Sequence, residues 1–406
     1  MAAGVLAAAT VAGQAHAAPA PRLALTSVAF AQSTVDATSG EATAMLEWTL
    51  TDGNVAATDV TGDVVVQQVG ADGRGIGPEH HVTFRHQPDS WFKANAVSGT
   101  PQSAVYRYDF PVPRYAATPT ATWAVVKVTA KDDQGTALTV GRSRLNGPHT
   151  SVTATELVDG TGPGYESFYL KSQSRFRYLD GNPVAYQYSF TALDEESGFH
   201  RARLTVGGPG GATVTGDVET NTLSWGLIEC GPDGFETSPG AVYCNLPVTF
   251  PADTPEGTWT PSRLRLADNA GNTAVAKDLP AAAAVHLTRN SVLSAAGFSI
   301  PATFDTSAGG VSVPLTLKPE GVQGGIASVT VETADPYACS ATTVDAPAVA
   351  SDGTVTVPVW APGLNDHCTV TGIALLDGAG HAAAYGSAFG GPALALESHR
   401  VTAPTP

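Results

Sequence analysis

A chain of 406 residues with 14% charged side chains and a formal net charge of −16 is long enough for several domains, each burying its own core. The shortage of cations excludes nucleic acid as the main partner, because a phosphate backbone is held by a basic face. The polar residues are chiefly Thr, Ser, Gly and Pro, the profile of many short strands joined by tight turns rather than of helices or coiled coils.

The first stretch, residues 1–20, reads as a secretory signal peptide. A short apolar region at Val5–Ala12 precedes Ala15-His16-Ala17, an A-x-A cleavage pattern. The alternative is an Ala/Pro-rich tail, since no basic residue precedes the apolar region. No later apolar run has the length of a membrane span, so membrane insertion is not expected.

A first domain is expected over 21–147. Ala44–Leu50 alternates, with Leu46, Trp48 and Leu50 on one face, as a half-buried strand does. Strands follow at Val64–Val69, His81–His86, Val105–Phe110 and Thr122–Ala130, with a final hairpin partner at Ala137–Val140. Asn146-Gly147-Pro148 is a turn cluster suited to a linker, and a second domain is expected over 148–289. Its alternating strand is Tyr186–Phe190, followed by the acidic loop Asp194–Gly198 and later strands at Ala241–Leu246 and Thr258–Asp268. A third domain, 290–406, carries Val311–Leu317, Val355–Trp360 and Cys368–Asp377. Pro247, Pro314 and Pro358 within these strands mark edges or bulges, because proline has no donor for the ladder.

One strand recurs. Thr122–Gly135, Thr258–Asn272 and Cys368–Gly380 align so that Val128, Leu264 and Ile373 correspond, as do Ala130, Leu266 and Leu375. Asp132, Asp268 and Asp377 then share a place three residues before a glycine, and Trp123, Trp259 and Cys368 share another. The four cysteines form two pairs, each within one segment and with no C-x-x-C. Disulfides Cys230–Cys244 and Cys339–Cys368 are therefore favoured over crossed pairings, each contributing ~3 kcal/mol in the chain-entropy model. The second would replace the tryptophan of the other segments.

About seven short strands per segment, with turn signals roughly every ten residues, give an all-β chain of three tandem antiparallel sandwiches with Greek-key connections. Gly257-Thr258-Trp259…Asp268-Asn269-Ala270-Gly271-Asn272 resembles the closing strand of immunoglobulin-like repeats from secreted and surface proteins of high-GC bacteria. The first segment lacks the final Asn, and the third keeps only Asp377 to Gly380. The resemblance implies binding, spacing or display, and carries no catalytic residues.

In such a sandwich the loop after the second strand and the last hairpin lie at one end. Asp194, Glu195, Glu196, Asp268, Asn269 and Asn272 would converge there, and calcium takes six to eight oxygen ligands of these kinds. The competing reading is turn chemistry: Asp and Asn bond their own backbone in hairpins, and Gly271 supplies a positive φ. A thinner version sets Asp52 and Asn54 against Asp132 and Asp133. In the third segment Lys318 and Glu320 would oppose Asp377, and the lysine would repel a cation.

His80, His81 and His86 lack a companion ligand at tetrahedral spacing and read as solvated or edge histidines. Tyr165, Phe168 and Tyr169 begin an aromatic run, with Phe176 and Tyr178, beside Lys171, Arg175 and Arg177. They are either sandwich core or a surface that stacks on sugars or anchors a protein. No nucleophile elbow, H-E-x-x-H or phosphate loop occurs, and Glu195-Glu196 is adjacent on one loop rather than set across a cleft. The expectation is a secreted, monomeric, non-enzymatic array that binds an extracellular protein or polysaccharide. Calcium is its one candidate cofactor. The alternative is a carbohydrate-binding or cell-wall accessory protein. Residues 398–406 show no sorting signal, so release rather than covalent attachment is expected.

Overall fold

The computed structural model describes residues 23–40, 42–145, 147, 149–172, 174–220, 223–224, 227–228, 230–231, 240–335, 337–362 and 367–401. The segment read as a signal peptide and the end of the chain beyond residue 401 lie outside them. The described chain is all-β, with only short 3-10 turns as helical elements. It divides into two compact units, Met1–Asp159 and Gly160–Pro406.

The first unit follows one hydrogen-bonded path. Leu23–Phe30 pairs with Ala42–Asp52, then come Ser103–Val112, Ala94–Thr100, Gly75–Arg85, Val60–Val69 and Thr120–Asp132. The strand Ala94–Thr100 pairs on one side parallel to Gly75–Arg85 and on the other antiparallel to Ser103–Val112, so it carries the ladder from one layer to the next. The alternation read at Ala44–Leu50 is present: Leu46 and Trp48 are fully buried, and the Trp48 ring stacks on Tyr106 at 5.6 Å. Beyond the linker expected at 146–148, Ser151–Thr155 pairs with the Trp123 strand, with Val152 opposite Trp123, so this unit runs on to Asp159.

The second unit contains two cores. One is enclosed by Gly164–Leu170, Val184–Leu193 and Ala241–Phe250 on one side. On the other lie Val285–Thr288, Gly257–Asp268, Phe199–Gly207 and Thr213–Glu219. The other core lies between Ser294–Ser299, Val311–Glu320 and Val355–Ala361 and the sheet built on His367–Asp377 and Ile326–Thr333. Pro314 and Pro358 stand opposite each other in register.

The recurrent strand aligns residue for residue. Val128 pairs with Val140, Leu264 with Ala276 and Ile373 with Tyr385, the same hairpin register three times. Trp123, Trp259 and Cys368 are all buried, and each pairs with a strand that follows its hairpin, through Val152, Val285 and Ser398. Both expected disulfides are formed, with Cα atoms 4.1 Å apart at Cys230–Cys244 and 5.4 Å apart at Cys339–Cys368. A bridge thus fills in the last core the place that an indole fills in the others.

The two cores of the second unit are joined through a buried seam. Phe176, Phe389, Ala374, Ala382 and Ala384 form a small apolar cluster, with the Phe176 ring stacked on His286 at 4.8 Å. Around it, Thr288 Oγ1 donates to the carbonyl of Ala382 (2.7 Å). Asn290, in left-handed backbone conformation, bonds both the N–H and the carbonyl of Ala384. The sequence around residue 290 reads as a division, yet its polar side chains serve as straps.

Candidate functional site at the acidic hairpin ends

The three corresponding aspartates do the same local work. Each ends its strand and opens a turn closed by a glycine of positive φ: Gly135 at 95°, Gly271 at 94°, Gly380 at 86°. The Oδ1 of each accepts the backbone N–H four residues on, from Thr136 (2.6 Å), Asn272 (2.7 Å) and His381 (2.8 Å). All three are buried. The turn-chemistry reading therefore accounts fully for one oxygen of each carboxylate. What distinguishes them is the group that faces the rest of the carboxylate.

At Asp377 that group is a donor. Its Oδ2 accepts the Gln323 N–H at 3.0 Å and meets His381 Nδ1 at 3.0 Å. Despite burial, these bonds hold its carboxyl below the usual range. Lys318 and Glu320, expected opposite it, are exposed on Val311–Glu320 instead. The loop that follows them folds Gln323 over the hairpin, which corrects the sequence reading.

At Asp268 the facing group is a second carboxylate. Asp194 is buried, and its Oδ1 accepts the N–H groups of Glu196 (3.2 Å) and Gly198 (2.7 Å), an Asx turn that curls the loop inward. The two loops are laced: Asn269 N–H donates to the Gly198 carbonyl (3.0 Å) and Asn269 Nδ2 to the Ser197 carbonyl (2.9 Å). Carboxylate oxygens of Asp194 and Asp268 come within 4.8 Å of each other. Of the six residues expected to converge, the structure brings the Asp194 and Asp268 carboxylates near each other. Glu195 and Glu196 are exposed, with Glu196 accepting from the Thr161 hydroxyl at 2.7 Å, while the Asn269 side chain bonds the Ser197 carbonyl and Asn272 contributes its backbone N–H to Asp268.

The first unit repeats the arrangement with Asp52 over Asp132. Asp52 Oδ1 accepts the Asn54 N–H (2.9 Å), and Asn54 Nδ2 donates to Asp132 Oδ2 (3.2 Å). Asp52 Oδ2 is buried, with no hydrogen-bond partner among the described residues. Burial, with the Asp132 carboxylate adding to it, pushes the Asp52 carboxyl up; Asp132 is held low by its bonds from Thr136, Asn54 and Gln134 against its own burial. Asp133 is committed elsewhere, to the N–H and hydroxyl of Thr58.

Of the aromatic run, Phe168 is buried and stacked on Tyr188 at 5.7 Å, and Tyr165 packs partly against the same core. Phe168 nonetheless lines the cavity beside Tyr169. Tyr169 remains exposed. Its hydroxyl lies 3.0 Å from that of Tyr243; Lys171 Nζ sits 5.6 Å from the Tyr243 ring centroid and donates to Asn245 Oδ1 at 2.8 Å. Tyr243 and Asn245 escaped the sequence reading because they lie on Ala241–Phe250, distant in sequence and adjacent only through Val184–Leu193. A cavity of about 270 Å³ opens beside Tyr169, reaching Arg175 and Pro280. His80 packs edge-on to Trp123 and Phe110, and His81 pairs with Asp63; among the described residues no histidine belongs to a group of three metal-ligating side chains.

No protein-family model matches the chain, and no curated protein matches it. Among solved structures it is similar to one from a 1.5-MDa bacterial ice-binding adhesin, concerned with retention at the host cell surface. There the identity is 12%, covering 93% of this chain and 97% of that one, with a TM-score of 0.19. A Corynebacterium diphtheriae protein described as membrane anchored gives 11% identity, 95% and 96% coverage and a TM-score of 0.19. The BSP domain of a biofilm-associated protein gives 14%, 93% and 67%, and 0.17. Scores this low carry no assignment of function.

Proposed function

We propose that the chain is an extracellular, non-enzymatic binding or spacing element built of three immunoglobulin-like sandwiches. In this reading a calcium ion is held at the Asp194–Asp268 end of the middle one. The observation that carries the cation is the approach of two buried carboxylates to within 4.8 Å of each other. Like charges in a low-dielectric setting repel unless a proton or a cation lies between them, and hard cations prefer carboxylate and carbonyl oxygens. Glu195 and Glu196, exposed on the same loop, would complete the oxygen set with water. The two buried disulfides support export, since such bridges persist in oxidising compartments.

The test is thermal melting of the full chain in calcium and then in chelator. An ion present at ~100 times its dissociation constant adds about 2.7 kcal/mol to the unit that holds it. That rise in melting temperature should vanish in Asp194→Asn. An unchanged melt in calcium would reduce Asp194 and Asp268 to turn residues.

A second reading has its own observation. Exposed Tyr169 and half-buried Tyr243, joined through their hydroxyls with Lys171 and Asn245 beside them, offer aromatic surface edged by hydrogen-bonding groups, which suits a sugar ring. Retention on insoluble polysaccharide, lost in the Tyr169→Ala, Tyr243→Ala double variant, would favour a carbohydrate-binding role; no retention by the unmodified chain would dismiss it.

A further inference from the structure

The exposed face of the Gly257–Asp268 sheet gathers positive charge in a chain that is otherwise acidic. Arg201 and Arg203 alternate with buried Ala202 and Leu204, and Arg263 and Arg265 alternate with buried Leu264 and Leu266, so all four guanidinium groups stand on the solvent side. The whole chain has 21 lysines and arginines, and four of them share these two adjacent strands. In register, Arg203 lies directly opposite Arg265, a cross-strand pairing of like charges that weakens a sheet.

Among the described residues, one of the four is paired with a carboxylate. Arg203 makes a two-pronged contact with Asp217, Nε at 2.6 Å and Nη2 at 3.1 Å. Arg201 is in register with Glu219, yet among the described residues no carboxylate comes within ion-pair distance of Arg201, Arg263 or Arg265. A cavity of about 280 Å³ opens on this face, lined by Arg201, Arg203 and Arg265 together with Asp217, Glu219 and Thr273.

We propose that this trough binds oxyanions, carboxylate or phosphate, borne on an extended extracellular polymer. Arginine, rather than lysine, is the residue whose planar fork matches both groups bidentately. With Arg203 engaged by Asp217, the forks lining the trough that no described carboxylate engages are Arg201 and Arg265, on adjacent strands. A single contact of this kind in water is worth little, so useful affinity requires several anions along one chain, each engaging another cation. The inference deepens the binding role proposed above by naming a ligand class, and it does not depend on the calcium site.

The experiment is fluorescence anisotropy of the full-length chain with two labelled probes, a short polyphosphate and an oligogalacturonate, in chelator and at two salt concentrations. At least one probe should bind, and its affinity should fall as salt rises. The Arg201→Ala, Arg265→Ala double variant should bind tenfold or more weakly at an unchanged melting temperature. Arg107→Ala, whose side chain pairs with Glu47 in the first unit, should bind normally. The probe that binds more tightly identifies the anion as phosphate or carboxylate. Failure of both probes to bind at low salt, or undiminished binding by the double variant, overturns the proposal. Either result leaves the calcium response of the melt as a separate readout.

Discussion

The hairpin ends at Asp268 and Asp377 share a turn, a glycine and a four-residue hydrogen bond, and differ in what is laid over them. Over Asp377 comes a backbone N–H and an imidazole, so the buried carboxylate is satisfied by the protein itself. Over Asp268 comes another buried carboxylate, Asp194. The same local sequence therefore yields one carboxylate faced by donors and one faced by a second carboxylate. The difference arises in the loops between strands, not in the repeated strand.

Truncating the shared acceptor should cost most and should cost it at both ends. Asp268→Ala and Asp377→Ala each strand buried backbone donors and are expected to destabilise the second unit by about 2–3 kcal/mol, read as a fall in melting temperature. Were only one of them to do so, the two turns would not be equivalent.

In the first unit a carboxyl is kept short of charge by burial alone. Glu156, fully enclosed and bonded to Trp123 Nε1 at 2.7 Å, has its pKa raised by burial to about 7. A carboxyl raised in the folded state adds stability while protonated and loses it as pH climbs from its unfolded value through its folded one. The first unit should thus weaken between about pH 4.5 and 7, by up to ~3 kcal/mol. Glu156→Gln should flatten that slope, and a slope that survives the substitution would assign it to another group.

Replacing carboxylate by amide separates the two hairpin ends more finely. Asp377→Asn removes the charge that His381 pairs with and should cost about 1–2 kcal/mol. Asp194→Asn relieves a repulsion and, in chelator, should be neutral or mildly stabilising. Equal losses at both positions would mean that the Asp194–Asp268 pair is satisfied without a cation. The sign of the pH dependence sharpens this further. Asp377, lowered when folded, contributes stability above the unfolded value near 3.8 and loses it as pH falls through the folded one. Asp52, raised when folded, contributes below that value and loses it as pH rises. Asp52→Asn should remove the second trend with a small stability change, within about 1 kcal/mol.

Much of this architecture is visible in the residues themselves. Period-two alternation at Ala44–Leu50 and Tyr186–Phe190 locates half-buried strands because a pleated strand can bury only every second side chain. The spacing of Asp and Gly in the recurrent strand specifies a hairpin because few residues tolerate the turn's positive φ, and segment-confined cysteines leave one economical pairing. Register followed from the same alignment, since a one-residue slip would expose Val128, Leu264 and Ile373 together. What the loops place over Asp52, Asp194 and Asp377 was beyond sequence reach. Whether Lys318 or Gln323 lies above Asp377 depends on the path of a loop whose residues have no periodic signal. The same holds for the Tyr169–Tyr243 surface and the facing columns of Arg201 and Arg265. Strand pairing brings together residues some sixty to seventy positions apart, and only the folded sheet decides which of them share a face.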